Sequence, residues 1–211
     1  TLQIMRTSTP ISESTPEPTQ EPKFATSCSM VQETISQVTN GDYTISHNGK
    51  IFAVYCHDMD TNYPKEYLAL YEDNYSQYRA GGLSPGTNVR TTFDKVRLVL
   101  NVDGSIEIDI HDYTFAASSG SLVHAGSFEV TSVPYGSASD CIGEYSAKGS
   151  GRIDLRGTGF YIPDGGFSIS GEYAGGSVTN IGGKVVNLTG GGRCGKTQAA
   201  ELLGINYFEG H

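Results

Sequence analysis

No stretch of the 211-residue chain approaches the ~18 consecutive apolar residues that a membrane-spanning helix needs, and the longest apolar runs, such as Ile51 to Cys56, are strand-sized. Positive charge is scarce. Lys and Arg number 14 against 23 Asp and Glu, giving a formal net charge of -9 that is spread along the chain. That spread argues against a nucleic-acid or anionic-membrane binder, because counterion release needs clustered cations. Cysteine is sparse too, and none of Cys28, Cys56, Cys141 and Cys194 sits in a CxxC pair, which excludes zinc ribbons and thioredoxin-type motifs. HExxH is absent, so the helix that sets two His beside a Glu base in many zinc proteases is missing. GxSxG is absent as well, and no acid/base pair stands out among the carboxylates. Tryptophan does not occur, whereas tyrosine numbers 13.

Hydrophobic residues make up only 37% of the chain, and the deficit concentrates near the N-terminus. Residues Thr7 to Pro22 repeat Ser, Thr, Pro and Glu with almost no aliphatic content. Such a segment cannot bury enough apolar surface to offset its conformational entropy, and Ser/Thr mixed with Pro is the composition of O-glycosylated stalks. Residues 1–27 are therefore expected to form a disordered linker, 28–198 a folded domain, and 199–211 a short tail with helical character. The chain opens on Thr1 with no visible leader, which reads as a mature form or a fragment. Four widely spaced cysteines suit two disulfides and an oxidising, extracellular compartment; four buried thiols in a cytosolic protein are the alternative.

Beyond Gly41 the pattern is strand, turn, strand. Asn48-Gly49 is a strong two-residue hairpin signal, since both positions tolerate positive φ. Centring the turn there pairs His47 with Lys50, Ile45 with Phe52 and Tyr43 with Val54, and puts the apolar members on one face. A second hairpin surrounds Asp103-Gly104. A two-residue turn would set Leu98 against Asp109, whereas the loop Val102-Asp103-Gly104 sets Leu100 against Ile106, Leu98 against Ile108, Val96 against Ile110 and Arg97 against Asp109. The longer loop is therefore expected, with Gly104 left-handed in a G1 bulge. Further strands are expected at Glu66 to Tyr71, Tyr113 to Ala116, Ser127 to Thr131, Arg152 to Leu155, Gly159 to Ile162, Phe167 to Ser170 and Lys184 to Leu188; only Lys196 to Leu203 looks helical. Short strands with many of the 27 glycines between them indicate an all-β domain, an antiparallel β-sandwich or jelly roll with short Gly-rich loops.

Residues 50–70, KIFAVYCHDMDTNYPKEYLAL, carry a more specific signal. Cys56, Asp58 and Met59, then Pro64, Lys65, Glu66 and Tyr67, resemble the strand-ending Cys-x-Asp-Met and the Pro-Lys-Glu-Tyr of the GON domain, found at the C-terminus of some ADAMTS metalloproteases. The likeness continues, in family order, through FDKVRLVL from Phe93, GRIDLRGTGF from Gly151 and GGRCGK from Gly191. Cys28 followed by Gly41-Asp42-Tyr43 fits its start, so that the resemblance runs from Cys28 to Thr197. Vertebrate members are richer in cysteine, so a reduced disulfide set is expected. Four cysteines allow three pairings, and proximity along the chain favours Cys28 with Cys56 and Cys141 with Cys194. The resemblance implies a non-catalytic accessory domain of a secreted metalloprotease that engages an extracellular protein, a matrix component or a glycan.

Several other motifs stand beside it in the sequence. Gly190 to Thr197 satisfies GxxxxGK[ST], but no room remains after it for the strands of a P-loop fold, and Cys194 is wanted for a disulfide. Asp58, Asp60 and Asn62 open like an EF-hand loop that then fails, with Tyr63 at the Gly position and Ala69 at the Glu position; they are the candidate calcium ligands. Zinc at Cys56-His57-Asp58 is disfavoured because adjacent strand residues point to opposite faces. No cofactor is expected. Asn74-Tyr75-Ser76 and Asn187-Leu188-Thr189 are N-glycosylation sequons, with Asn74 placed in a polar loop. Tyr71, Tyr75 and Tyr78 are the candidate recognition surface, as Tyr offers rigid amphipathic area. A free-standing carbohydrate-binding module and a hydrolase with dispersed carboxylates are the alternative functions.

Overall fold

The computed structural model describes residues 24–80, 88–120, 122–123, 129–141, 147–171 and 175–208. The expected disordered linker lies outside the described residues up to residue 23, and so does the end of the expected tail beyond residue 208. The described chain begins with α1 (Cys28–Thr34), β1 (Gly41–His47), β2 (Lys50–His57), β3 (Lys65–Ala69), β4 (Tyr75–Ala80) and β5 (Asn88–Phe93). It continues with β6 (Lys95–Leu100), β7 (Ile106–Asp109), β8 (Ala116–Ser119), β9 (Leu122–Val123), β10 (Glu129–Val130) and β11 (Ser137–Cys141). The remainder is β12 (Ala147–Asp154), β13 (Phe160–Tyr161), β14 (Phe167–Ser170), β15 (Gly175–Ile181), β16 (Val185–Gly191), β17 (Lys196–Ala199) and β18 (Leu202–Tyr207). Among the described residues the domain is all-β apart from the seven-residue α1.

Both hairpins follow from local turn chemistry. Asn48 and Gly49 hold φ of 49° and 77°, and β1 pairs with β2 from His47↔Lys50 through Gly41↔Cys56. Gly104 sits at φ 90°, Asn101 and Ser105 close the three-residue loop, and β6 meets β7 with Leu98 opposite Ile108 and Arg97 opposite Asp109. The pairing of β6 with β7 stops at Asp109; Ile110 N–H donates instead to Glu201 O. These strands belong to a seven-stranded sheet ordered β1-β2-β3-β6-β7-β18-β13.

The other large sheet forks at β4. One edge of β4 pairs with β5, which passes on to β8. Along its other edge, Tyr75 and Ser76 pair with β12, while Gln77 to Ala80 pair with β11. One arm continues β12-β16-β15 and the other β11-β17-β14. Among the described strands, β4 with β11 is the one parallel pair.

Glycine explains how the arms stack. A Cβ on Gly190 would overlap the Ala138 carbonyl oxygen, and one on Gly149 would overlap the Ser139 backbone. The arms therefore touch backbone to backbone, closer than the ~10 Å usual for stacked sheets. The glycine-rich second half is thus a packing surface as well as a set of turns.

The two sheets enclose one core. Ile45, Phe52, Val54, Val96, Leu98, Ile108, Leu203 and Ile205 from the first face Phe93, Ile153, Val186 and Leu188 from the second. Phe52, Phe160 and Tyr207 form a triangle of rings with centroids 5.1 to 5.6 Å apart, each pair adding about 0.5–1.5 kcal/mol beyond burial. Ser27 caps α1 by accepting from Met30 N–H, and the helix is pinned to the sheet by the Cys28–Cys56 disulfide and by Cys28 N–H on Glu66 Oε1 at 2.8 Å. The second disulfide joins Cys141 to Cys194, so both follow proximity along the chain.

Several sequence expectations need correction. Lys196 to Leu203 is not helical: β17 and β18 lie there, and the tail completes the seven-stranded sheet by pairing with β7. Leu203 and Ile205 are buried while Leu202, Gly204 and Asn206 are exposed, a period of two that outweighs the helix-forming Ala, Glu and Leu. Tyr113 to Ala116 is a turn, closed by Ala116 N–H on Tyr113 O, with β8 starting only at Ala116. The folded unit begins before Cys28, because Ser46 N–H donates to Ala25 O at 2.8 Å. Of the strand expected over Ser127 to Thr131, residues 127–128 lie outside the described residues and β10 is the rest.

Candidate binding site

The residues singled out by sequence do not gather in one place. Tyr71 is exposed in the loop after β3, its ring beside Gly157. Tyr75 and Tyr78 lie an odd number of residues apart on β4 and so face opposite sides of the sheet. Tyr75 lies outward beneath Arg90, whose guanidinium carbon is 3.5 Å from the ring centroid. Tyr78 faces inward against Val89, and burial, helped by the charge of Asp140, raises its hydroxyl pKa. The three tyrosines therefore do not form one recognition surface.

Asn74 is not a loop sequon open to a glycan. It is 2% exposed, donates to the carbonyls of Glu72 and Asp154, and accepts from Tyr135 Oη and Asp154 N–H at 2.8 and 2.7 Å. Ser76 of the same sequon is buried, its Oγ accepting from Ser137 N–H. Asn187 stands half-buried on the outer face of β16, where its Oδ1 accepts from Arg152.

The calcium candidates Asp58, Asp60 and Asn62 lie in the loop between β2 and β3. Asp58 contacts His57 Nε2 at 3.2 Å and Lys65 Nζ at 3.9 Å, while Asp60 and Asn62 are exposed. Among the described residues no three His, Cys, Asp or Glu side chains gather as a metal site would require. The P-loop-like stretch joins β16 to β17 and is followed by a strand rather than a helix. Its Gly192 N–H donates to the buried carboxylate of Asp140, which Lys148 N–H also meets. An internal side chain thus takes the loop donor that a phosphate would need.

The buried charges are structural. Asp154 is fully buried and receives Arg152 at 2.6 Å and Arg156 through two contacts of 2.8 and 2.7 Å. Burial acts to raise its pKa, but the hydrogen bonds from Arg156 and Arg152 prevail and hold the carboxyl below its ordinary range. On the outer face of the seven-stranded sheet, Phe115 is edge-on to Tyr55, His57 and Tyr67. Tyr67 Oη donates to Asp112 at 3.0 Å, and burial chiefly pushes its pKa up to about 12.

One groove with the make-up of a ligand site has no signal in the sequence pattern. A groove of about 390 Å³ lies on the inner side of the forked sheet, with a floor of Tyr78 from β4, Ser137 and Ser139 from β11, and Lys196 and Gln198 from β17. Cross-strand pairing places Ser137 beside Gln198 and Ser139 beside Lys196, and Tyr78 is level with Ser139 across the parallel pair. Val130, Ser132, Val133 and Pro134 make one wall, His111 lies at the rim, and Cys194 of the second disulfide lines one end. Apolar walls with a few convergent hydroxyl, amide and ammonium groups have the make-up of a ligand cleft. Only side-chain alternation on β11 could have signalled it, and SASDC shows none.

A family profile described as the GON domain matches residues 25–85 and 84–207. The mouse protein named "A disintegrin and metalloproteinase with thrombospondin motifs 20" is 30% identical over 166 residues, covering 66% of this chain and 8% of the relative. The human protein of that name is 28% identical over 166 residues with the same coverage. The chain thus spans less than a tenth of the length of these curated relatives. No solved structure matches it.

Proposed function

The chain belongs to the GON domain family, and from that premise we propose that it serves as a non-catalytic accessory domain of a secreted ADAMTS-type metalloprotease, holding an extracellular protein or matrix component in the groove over β4, β11 and β17. The observation that carries the reading is the groove itself, built on rigid strands and tied at one end by the Cys141–Cys194 disulfide. Two disulfides agree with an oxidising compartment. The fully buried carboxylates Asp140 and Asp154 are both engaged by protein donors, which gives these two a structural role.

The test is retention of the purified chain on cell-free extracellular matrix, wild type beside the double variant Lys196→Glu and Gln198→Arg. Both positions are at least partly exposed, so the fold should tolerate the changes, which a thermal melt checks. Retention is expected to fall at least tenfold with an unchanged melt. Equal retention by the two proteins, or hydrolysis of matrix protein by the chain itself, would reject the reading.

A further inference from the structure

Strands β2 and β3 pair over only part of their length. Their ladder runs from His57↔Lys65 to Tyr55↔Tyr67 and stops there. Leu70 N–H donates to Asp94 O, which draws the end of β3 towards β6, while the Phe52 ring packs against Phe160 and Tyr207 on the inner side. Among the described residues no strand pairs with this edge of β2 from Ile51 to Val54. The backbone of that stretch points into the gap. Ser46 N–H is turned away from β2 and donates to Ala25 O, so Ser46↔Ile51 is a pair without hydrogen bonds of its own. By alternation Thr44↔Ala53 is another, and the N–H and C=O groups of Ile51 and Ala53 face the gap. Both residues are exposed, and Ile51 to Val54 carry none of the charges, prolines or bulges that usually blunt a free edge.

A cavity of about 260 Å³ opens at the same place. Its floor is apolar and buried, made by Phe52, Val54 and Leu68, and Tyr55, Tyr71 and Tyr207 stand around it. Asp42 is the one carboxylate of the lining. The charges about the mouth balance. Asp42 stands against Lys95, whose Nζ is 4.7 Å from the centroid of the Tyr55 ring, and Glu72, next to Tyr71, is paired with Arg156 at 3.2 Å.

We propose that this edge of β2 takes an extended peptide segment of another protein as an added strand, with one uncharged aromatic or aliphatic side chain seated in the cavity. The N–H and C=O groups of Ile51 and Ala53 repeat at about 6.8 Å, the two-residue spacing of a second extended backbone. Alternate side chains of such a strand point inward, so one of them reaches the floor of Phe52, Val54 and Leu68. A sugar has no alternating donors and acceptors at that spacing. A charged side chain would meet no surplus of the opposite sign, since the mouth holds Asp42 and Lys95 together. The outer edge of β1 is already engaged at Ser46 by Ala25. The site is separate from the groove over β4, β11 and β17 and does not rest on it.

The experiment follows, by fluorescence polarisation, a labelled and capped peptide Thr-Thr-Ser-Phe-Ser-Thr-Thr binding to the folded chain. Three relatives are compared with it: one with Ser in place of Phe, and two with N-methyl groups on one or the other alternate set of amides. The parent is expected to bind saturably below about 1 mM, and the Phe-less peptide to bind at least about tenfold more weakly. One N-methyl set should abolish binding and the other leave it within about threefold, because only alternate amides of an added strand face β2. Raising salt should change the affinity less than about twofold. Tyr71→Ala, at an exposed position, should weaken binding about fivefold or more with an unchanged melt. Lys196→Glu with Gln198→Arg, in the separate groove, should bind the peptide as wild type does. The peptide variants leave the protein untouched, so their result stands whatever a protein variant does to folding. No saturable binding, equal loss from both N-methyl sets, undiminished binding by Tyr71→Ala, loss in the groove variant, or displacement of the peptide by maltohexaose would overturn the proposal.

Discussion

Replacing Asn74 by alanine removes one side-chain amide and strands the groups that converge on it. Tyr135 Oη, Asp154 N–H and Asp154 O lose a buried partner, and Glu72 O loses one nearer the surface. A buried polar group left unpaired costs about 1–3 kcal/mol, so the three interior groups together should cost about 3–5 kcal/mol once some water is admitted. For a domain of this size that is a drop of about 10 °C or more in Tm, and a large share of the ~5–15 kcal/mol that holds such a domain folded. Asn74→Asp keeps the acceptor but loses both donors and sets a second carboxylate near Asp154, so it should be no better tolerated. Urea unfolding followed by circular dichroism measures the loss, and peptide mapping of the secreted chain reads the sequon. A loss below about 1 kcal/mol, or a glycan on Asn74 in a protein of normal stability, would refute the reasoning.

Gly190→Ala should destabilise by about 1–3 kcal/mol or more, since the new methyl overlaps the Ala138 carbonyl, whereas Gly204→Ala, with open space around it, should melt near wild type. Removing the Cys28–Cys56 bridge as a Cys→Ser pair should cost about 3–4 kcal/mol for its 28-residue separation, read as a shift in urea midpoint. Asp154 has a depressed pKa, so its contribution is full above the ordinary carboxylate range and disappears as pH falls through the folded value; Asp154→Asn should flatten that acid limb of the stability profile. Tyr67 behaves oppositely. Raised to about 12, it stabilises fully below about pH 10 and loses that contribution as pH climbs towards 12, so spectrophotometric titration should find a late-ionising phenol that Tyr67→Phe removes.

The hairpins were legible because their signals are local: Asn48-Gly49 and the Val102 to Gly104 loop set register through turn geometry, and the apolar alternation agrees with it. β4 and β11 were not. Tyr75 to Ala80 and Ser137 to Cys141 lack an apolar period of two, because the fork buries small and polar residues such as Ser76 and Ser139 against neighbouring backbone. Asn74 looked exposed beside Glu72 and Asp73, yet it enters the interior through a side-chain network 80 residues away in sequence. The groove depends on strand order, which no single stretch of this sequence encodes. Tyr78, Ser139 and Lys196 become neighbours only when β11 pairs with β4 on one edge and β17 on the other.

The groove as the seat of a partner is tested most directly by placing a photo-crosslinking residue at Gln198 and exposing the chain to intact extracellular matrix. The same probe at Val102, fully exposed on the β6–β7 turn, serves as the reference. The account predicts a discrete covalent adduct from position 198 and none from position 102. No adduct from 198, or the same adducts from both positions, would contradict it.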